Sequence, residues 1–506
     1  MSKHTHKHKS RHSSHKSKHS HKSSRGHKHC HKNSSSNSHE HEHEHKQCEH
    51  HGPDECCDKC GCNKNCKVEQ VPSYLTTSLQ VPNTASYVDN GGLILKVHPK
   101  VSYDGSYVYT VYESYPNAGA IVAEVFSNTL GVLSSVVQLQ ADSFNVDGNI
   151  NSGSASSDFS LFSVIDDDGT NNIRVSVYDT SLILLYSTTF TDYYPSSQSG
   201  KGGIFTHDNK YLFVSYLTDT NVGIVKVLSV TANLSVITTY QLPNFPTEPK
   251  LIRLHNHDYI VIGFGTVTTF TDPIISPPFG FNILEFHRNT PSLMLIVTSP
   301  LLPSFPNIDI TKTSDNDNAR IVISMKDNNA NVYGVNYPSI PNILPLPSSG
   351  ATDTNDLQIF DYNAETLHFH KVLSMNIEGG GTAWWVPESH GKVLTIMQSV
   401  SAVLDGTTFQ TSVGNNTISW LVIDSLEHKN RKTRVVGQIH LSGPADYLSF
   451  SRNTKWFAVG CTMVTPDGSA TYPNFGLQTT NGYIQPTGYN NLMYYNVSYP
   501  CVHKKH

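Results

Sequence analysis

The sequence lacks long hydrophobic runs, and this absence excludes several classes of protein. No stretch approaches the roughly 18 to 20 apolar residues of a membrane-spanning helix, so we expect no membrane span. Residues 1–51 contain no Ile, Leu, Val, Phe, Tyr or Trp, so the apolar core of a secretory signal peptide is missing there. Apolar residues at helical spacing over several turns are also missing, which disfavours a helical fold.

Charge and composition divide the 506 residues into two parts. Residues 1–70, here called the head, hold 14 of the 36 Lys and Arg residues, 8 of the 41 Asp and Glu residues, 16 of the 28 His residues and 7 of the 9 Cys residues. The head therefore carries a formal charge of +6, and residues 71–506, here called the body, carry −11. Because a segment without apolar side chains cannot offset its chain entropy, we expect residues 1–55 to form a disordered tail rich in His, Lys and Ser.

Two patterns in the head predict metal binding. Histidine alternates with glutamate at His39, His41, His43 and His45. Neutral imidazole is a ligand that suits Zn, Cu and Ni. A Cys-rich cluster follows at residues 56–70, with thiols at Cys56, Cys57, Cys60, Cys62 and Cys66. The spacing of Cys57 and Cys60 lets two thiolates reach one ion, and four thiolates complete a tetrahedral zinc site. The cluster resembles a short metallothionein-type thiolate knot.

Other interpretations of the head stay open. Low-complexity tails of this composition also serve as solubilising or anchoring extensions. In an oxidising compartment the same thiols would form disulfides. The positive charge, which protonation of the histidines near about pH 6 would increase, also predicts non-specific and salt-sensitive contact with a polyanion.

The body has the residue composition of β-strands and turns. Short apolar runs rich in Val, Ile, Tyr, Phe and Thr alternate with Gly, Asn, Asp, Ser and Pro. Three segments align without gaps, namely Val101–Val111, Phe205–Ser215 and Phe450–Gly460. Each has an apolar residue, Ser or Thr, an Asp or Asn at the fourth position, a turn residue, and then an aromatic residue that opens a second apolar run. We interpret this signature as a β-hairpin whose Asp or Asn caps the turn, whose next residue takes positive φ, and whose aromatic packs between sheets.

Weaker copies of the hairpin complete a repeat. Units begin near residues 101, 159, 205, 254, 314, 386 and 450, and several are followed by a third and a fourth strand. Four strands per unit is typical of a β-propeller blade. We therefore predict an all-β, seven-bladed β-propeller over residues 71–506. Three segments rich in Pro, Gly and Asn are interpreted as loop insertions: Thr268–Gly280, Tyr337–Asp353 and Thr465–Thr487.

The last unit supplies only three strands. We expect residues near Ser78–Pro82 or Gly92–Val97 to provide its missing outer strand, because pairing the two ends of the chain would close the ring and remove an exposed edge.

The hairpin signature resembles that of the YVTN/lactonase-like seven-bladed propellers, in which a Ser-Pro-Asp-Gly-Lys-like turn leads into a Tyr-Val-Tyr-Val-like strand. The likeness covers the repeat hairpins, and this chain lacks the proline of that turn. The resemblance implies the architecture and, as one alternative, a hydrolase acting in the propeller channel. The family's His, Glu, Arg and Asn positions cannot be aligned here, so no catalytic residue is identified.

Four local patterns in the body could carry chemistry. Glycines 379–381 before Trp384 and Trp385 are interpreted as a sharp turn into an inner strand, with the Trp pair between blades. The run Asp166–Gly169 offers oxygen ligands, but it does not have the spacing of a calcium loop and is interpreted as a solvated hairpin turn. Two histidine pairs could each clip a metal if a third ligand were present, and otherwise lie on the surface. They are His255 with His257, and His368 with His370.

These observations favour a non-catalytic interaction or structural protein. In this hypothesis the propeller loops contact other proteins, and the head binds Zn, Cu or Ni. The sequence contains no G-x-S-x-G, P-loop or H-E-x-x-H motif. A channel hydrolase and a metal storage or sensing protein are the alternatives. Without a signal peptide we expect a cytoplasmic protein. The low-complexity composition of the head gives, as an alternative, a component of a virion or coat particle.

Overall fold

The computed structural model describes most of the body, within the compact unit Cys62–His506. The described residues are 73–79, 98–114, 120–129, 132–139, 150–167, 171–194, 202–243, 245–267, 275–314, 318–325, 335–336, 351–377, 382–398, 402–405, 408–411, 417–423, 433–440, 445–461 and 492–497. Within these ranges the chain forms β-strands and one 3-10 turn, Val230–Ala232. The all-β prediction is therefore confirmed, as the β-branched and aromatic composition of the strands requires.

The first strand of the chain, β1 (Ser73–Leu79), belongs to the last sheet. Sheet 1 contains β2 (His98–Val101), β3 (Tyr107–Ser114), β4 (Ala120–Thr129) and β5 (Val132–Leu139). Sheet 2 contains β6 (Ile150–Ala155), β7 (Phe162–Asp167), β8 (Ile173–Tyr178) and β9 (Leu184–Phe190). Sheet 3 contains β10 (Gly202–Phe205), β11 (Tyr211–Leu217), β12 (Gly223–Ser229) and β13 (Ser235–Leu242). Sheet 4 contains β14 (Phe245–Pro246), β15 (Lys250–Leu254), β16 (His257–Val267), β17 (Ile275–His287) and β18 (Ser292–Thr298).

The remaining sheets are interrupted by insertions. Sheet 5 contains β19 (Pro306–Lys312), β20 (Asn318–Met325), β22 (Leu357–Asn363) and β23 (His368–Met375). Sheet 6 contains β24 (Thr382–Trp385), β25 (Val393–Gln398), β28 (Thr417–Ile423) and β29 (Thr433–His440). Sheet 7 contains β30 (Ala445–Phe450), β31 (Trp456–Cys461), β32 (Leu492–Val497) and β1. A small accessory sheet contains β21 (Val335–Asn336), β26 (Ala402–Asp405) and β27 (Thr408–Thr411).

The strand counts correct the predicted blade number. The predicted count of seven is corrected to six regular four-stranded blades, because the remaining sheet, sheet 4, has five strands, with both β14 and β15 pairing with β16. The segment Thr268–Gly280, predicted as a loop, lies partly within β17, whose residues Ile275 and Ser276 pair with β16. Extending the β16–β17 ladder satisfies backbone groups that a loop would leave to water.

Consecutive sheets pack on one another through apolar clusters. Each cluster contains residues of two consecutive sheets. From sheet 1 to sheet 6, one pair of residues from each cluster is Tyr109 with Phe162, Ile165 with Leu212, Phe213 with Ile260, Phe281 with Phe360, and Ile359 with Trp385. Trp420 of sheet 6 and Phe457 of sheet 7 have ring centroids 6.0 Å apart. Ala458 of sheet 7 packs with Val108 of sheet 1 and completes the circle. This arrangement is a β-propeller.

The ring closes by pairing the two ends of the body. Strand β1 runs antiparallel to β32, with Ser78 opposite Met493. The expectation that a strand near Ser78–Pro82 completes the last unit is therefore confirmed, and β1 lies slightly earlier than predicted. Because β1 covers an edge of β32, that edge is paired within the chain.

Burial follows position within a sheet. All six residues of β7 are buried, since this strand is covered on both faces by neighbouring sheets. The outermost strand β9 alternates between exposed and half-buried residues. This gradient explains why middle strands such as β11 are nearly continuous apolar runs, whereas outer strands such as β13 carry Ser and Thr among their apolar residues.

The repeat hairpin has the turn chemistry that the sequence predicts. Asp104 accepts hydrogen bonds from the hydroxyl of Ser102 at 2.9 Å and from the backbone N–H of Ser106 at 2.9 Å. Asp158, Asp208 and Asn453 repeat this cap in sheets 2, 3 and 7. The side chain thus replaces water at backbone groups that the tight turn cannot pair.

The residue after each cap has positive φ, as predicted. The values are 78° for Gly105, 61° for Phe159, 59° for Asn209 and 63° for Thr454. Gly105 has a second constraint, because a Cβ there would lie 2.3 Å from the Trp456 ring of sheet 7. The burial of the aromatic residue that begins the return strand differs between sheets. Trp456 packs against the sheet 1 cluster, whereas Tyr107 is 44% exposed, so its predicted packing between sheets is wrong.

Adjacent capped turns also bond to each other. The Asn209 side-chain amide donates to the Asp158 carboxylate at 2.8 Å, and the Ser157 hydroxyl donates to the His207 carbonyl at 3.2 Å. The Asn453 amide donates to the Asp104 carbonyl at 3.1 Å. The cap of one hairpin therefore helps to position the next.

The acidic run in sheet 2 is not the solvated turn that we predicted. Asp166 and Asp167 lie at the end of β7 and are 0% and 1% exposed. Asp166 accepts two hydrogen bonds from the Arg174 guanidinium, at 3.2 and 2.8 Å. A buried carboxylate needs such a partner. The capped turn of this unit lies at Ser156–Ser160, immediately before β7, and Asp167 pairs with Ile173 at the end of the β7–β8 ladder.

Replacement of Asp158 by alanine is expected to lower the free energy of unfolding by about 1 kcal/mol at pH 7, because the turn loses its cap. Burial opposes ionisation, but hydrogen bonds from Ser156, Asn209 and Ser160 outweigh it and lower the pKa of Asp158 to about 2. A carboxylate with a lowered pKa stabilises the fold above its unfolded pKa and loses this effect as the pH falls.

Denaturant titrations should therefore show that the free energies of unfolding of the wild type and Asp158→Ala differ by a constant amount above about pH 4. This difference should decrease as the pH falls toward about 2. Asp219→Ala is the matched control, since Asp219 is an exposed residue of the β11–β12 turn in sheet 3 and should change stability little. A difference independent of pH would contradict the assignment.

Candidate functional site

The hairpin ends of the inner strands converge on one recess, here called the channel mouth, with a volume of about 500 Å³. Every propeller sheet contributes to its lining. One lining residue from each, in sheet order, is Lys100, Ser156, His207, Leu251, Lys312, Glu388 and Arg452. The mouth exists because each inner strand ends toward the same face and its turn is held by a cap or by backbone pairing.

The outer layer of the mouth is cationic. Lys312 ends β19, Arg452 lies in the β30–β31 turn, and Arg253 lies on β15 beside the lining residue Ile252. Among the described residues, Arg253 and Lys312 form no ion pair with a carboxylate. Arg452 lies 3.9 Å from Glu388, but both side chains are more than half exposed, so this pair contributes little.

The cations of the mouth influence one another. Burial lowers the pKa of Lys312, and the positive charges of Arg452 and Arg253 lower it further. Burial also lowers the pKa of His207, and Arg452 adds to this effect more than Asp258 opposes it. Like charges thus face each other across the opening, in a place where water screens them incompletely.

The inner layer of the channel is charge-balanced. Glu248 lies between two lysines, with Lys100 Nζ 3.4 Å from one carboxylate oxygen and Lys250 Nζ 3.4 Å from the other. Asp309 accepts a hydrogen bond from the Trp385 backbone N–H at 2.7 Å. Burial and the charge of Lys250 lower the pKa of Lys100, although Glu248 opposes them. For Lys250 burial is outweighed by Glu248 and Asp309, and its pKa is raised. Burial raises the pKa of Asp309, although Lys250 opposes it.

The two layers therefore differ in what they can do. The inner layer satisfies its charges internally and stabilises the channel wall. The outer layer presents positive charge to solvent on a concave surface. An anion bound there would be attracted by several cations at once.

The predicted metal ligands of the head lie outside the described residues: Cys56, Cys57, Cys60, Cys62, Cys66, His39, His41, His43 and His45. Within the part of the chain that the structure describes, no group of three His, Cys, Asp or Glu side chains could hold a metal ion. His368 and His370 do share one face of β23, with ring centroids 4.7 Å apart. His257 lies 2.6 Å from Glu285.

Trp385 is 3% exposed and packs between sheets 5 and 6, which confirms the prediction for this member of the Trp pair, and Trp384 is also buried. Sequence reasoning missed the cationic outer layer. A signal was present, since His207 and Arg452 each occupy the position before the capping Asp or Asn of an aligned hairpin. Lys312 lies at the end of an inner strand, and Arg253 also lies on one.

No protein-family model and no curated protein match the chain. Solved structures with a similar fold include the WD40 repeats of RRP9, with 12% identity, a TM-score of 0.46, and coverage of 83% of this chain and 99% of that one. The periplasmic gluconolactonase PpgL of Pseudomonas aeruginosa has 12% identity, a TM-score of 0.45, and coverage of 74% and 97%. The WD40 domain of Toxoplasma gondii coronin has 7% identity, a TM-score of 0.45, and coverage of 85% and 86%.

No helix with the length and apolar character needed to span a bilayer occurs among the described residues.

Replacement of Glu248 by glutamine is expected to lower the free energy of unfolding by about 2 kcal/mol at pH 7, because two largely buried lysines lose their shared carboxylate. The loss should shrink as the pH rises toward the usual pKa of lysine, about 10.4, because the lysines of the variant then release their protons. Chemical denaturation across this range measures it. Glu388→Gln is the control, since its pair with Arg452 is exposed. An equal effect of both variants would show that the inner layer does not depend on Glu248.

Proposed function

We propose that this protein is a non-catalytic interaction or structural protein. Its propeller presents the channel mouth to a partner, and its head binds metal and tethers the propeller. The convergence of turns from every propeller sheet on one recessed, charged face supports the proposal most directly. Binding surfaces are commonly built from loops that a rigid scaffold positions.

Rigidity of the turns adds support. The caps of Asp158, Asp208 and Asn453 fix their own hairpins, and each also bonds to a turn of a neighbouring sheet. A surface fixed before binding loses less conformational entropy when a partner docks. The mouth is therefore suited to recognition by complementary shape and charge.

The head would supply the second element of the function. Five cysteines and four alternating histidines are ligands suited to Zn, and also to Cu or Ni. Metallated thiolates are compatible with a reducing cytosol, and a coat or virion particle is the alternative setting. If many ions bound to each chain, storage or sensing would be the better description.

A channel hydrolase is the rival function. The carboxylates of the inner layer would be its candidates, but Glu248 already holds two lysines and Asp309 accepts a backbone hydrogen bond. No nucleophile and base pair is identified among the described residues of the mouth, so the binding function is the one that the geometry supports best.

Removal of residues 1–70 should leave a folded body and abolish metal uptake. Inductively coupled plasma mass spectrometry after zinc loading and desalting measures the ions per chain, and circular dichroism checks the fold. The matched control replaces Cys56, Cys57, Cys60, Cys62 and Cys66 by serine in the full chain. Equal zinc content in the full and shortened chains would overturn the metal-binding role of the head.

A photo-crosslinking amino acid at Tyr103, which lines the mouth and is 57% exposed, should yield discrete adducts with a partner protein in the native extract. The same group at Ile183, 62% exposed beside the outer strand of sheet 2, is the control and should yield none of them. Adducts at Ile183 alone, or hydrolysis of a lactone panel by the full chain, would overturn the proposal.

A further inference from the structure

We propose that the channel mouth is a binding site for a compact anion with several phosphate groups, held by Arg253, Lys312 and Arg452 with His207 beside them. This inference rests on the proposed use of the mouth as a binding surface and specifies the chemistry of what binds there.

The positions of the cations point to one compact ligand. Lys312 of sheet 5 and Arg452 of sheet 7 line the recess, and Arg253 of sheet 4 lies beside its lining residue Ile252, so the three charges approach the recess from three different sheets. An extended acidic segment would instead require cations in a row along one groove. Convergence from several sheets suits a ligand whose charges point outward in several directions.

The charge balance favours an anion with at least two negative charges. Near the three cations the only carboxylate lining the described mouth is Glu388, and it is 59% exposed and 3.9 Å from Arg452. Asp258 faces His207 but is fully buried and accepts a hydrogen bond from Arg288 at 2.7 Å, so it does not reach the opening. The inner layer beneath is balanced by Glu248 and Asp309.

The pKa shifts at the channel mouth support the same conclusion. Lys312 and His207 both have lowered pKa values, partly because Arg452 and Arg253 lie nearby. A bound anion would remove this mutual repulsion, so binding would also raise the affinity of both groups for protons.

Phosphate fits the types of side chain present. The planar guanidinium donates two parallel hydrogen bonds to phosphate oxygens, and lysine adds a point charge. The volume of about 500 Å³ is in the range of small-molecule sites and could not admit a nucleic-acid duplex.

Isothermal titration of the full chain with inorganic tripolyphosphate at about pH 8, where the head histidines are neutral, tests the proposal. Arg452→Gln and Lys312→Gln should each weaken the site at the mouth by about tenfold, the effect of losing one charge-assisted contact. Lys210→Gln is the matched control, because Lys210 is a hairpin lysine that is 64% exposed and does not line the mouth. It should change the affinity less than about twofold, which is within the usual effect of an exposed charge.

A second measurement separates the mouth from the basic head. Acetylation of Lys312 by a water-soluble ester, followed by mass spectrometry, should slow when tripolyphosphate is present, whereas acetylation of Lys210 should not. A phosphoserine peptide that protects Lys312 equally well would identify the phosphate source as a modified protein rather than a free oligophosphate.

Three outcomes would overturn the inference. They are equal affinity in all variants, no protection of Lys312, or protection by citrate but not by tripolyphosphate. Each leaves the Tyr103 crosslink unaffected, so failure of the phosphate site and failure of the proposed interaction surface can be told apart. Loss of the crosslink with retained tripolyphosphate binding would mean that the mouth takes a small molecule and no protein partner.

Discussion

The hydrogen bonds that cap the repeat hairpin are the interaction on which the rest of the propeller depends. In sheets 1, 2, 3 and 7 a Ser or Thr hydroxyl and an Asp or Asn side chain hold the turn that ends the inner strand. Because that turn joins the inner strand to the second strand, it sets the register of the sheet. It also sets the position of whatever side chain sits at the channel mouth. Stability and the geometry of the channel mouth therefore depend on the same few polar contacts.

Most of the fold could be predicted from this local chemistry. The turn residues, and the strand that begins with an aromatic residue, repeat at a spacing typical of four-stranded propeller sheets. Because the last unit has only three strands of its own, a closing strand from the start of the body could also be predicted, and β1 is that strand. The fifth strand of sheet 4 could not be predicted, because the two-residue strand β14 has no pattern of its own. The accessory sheet likewise depends on long-range pairing between insertions.

The site was harder to predict than the fold for a physical reason. Asp166 belongs to a run that has the composition of a turn, yet tertiary packing buries it and supplies Arg174 as its partner. Arg253, Lys312 and Arg452 are separated by up to 199 positions along the chain, and only ring closure brings them to one opening. Local patterns indicate where a turn lies but do not indicate which charges will face it.

The accessory sheet constrains how the two insertions can change in length during evolution. Strand β21 comes from the insertion after β20 of sheet 5, and it pairs in parallel with β26, which follows β25 of sheet 6. Parallel pairing between two separate insertions means that neither can be shortened or shifted in register alone without leaving the other's backbone groups unpaired. In natural variants of this protein the lengths of these two excursions should therefore co-evolve.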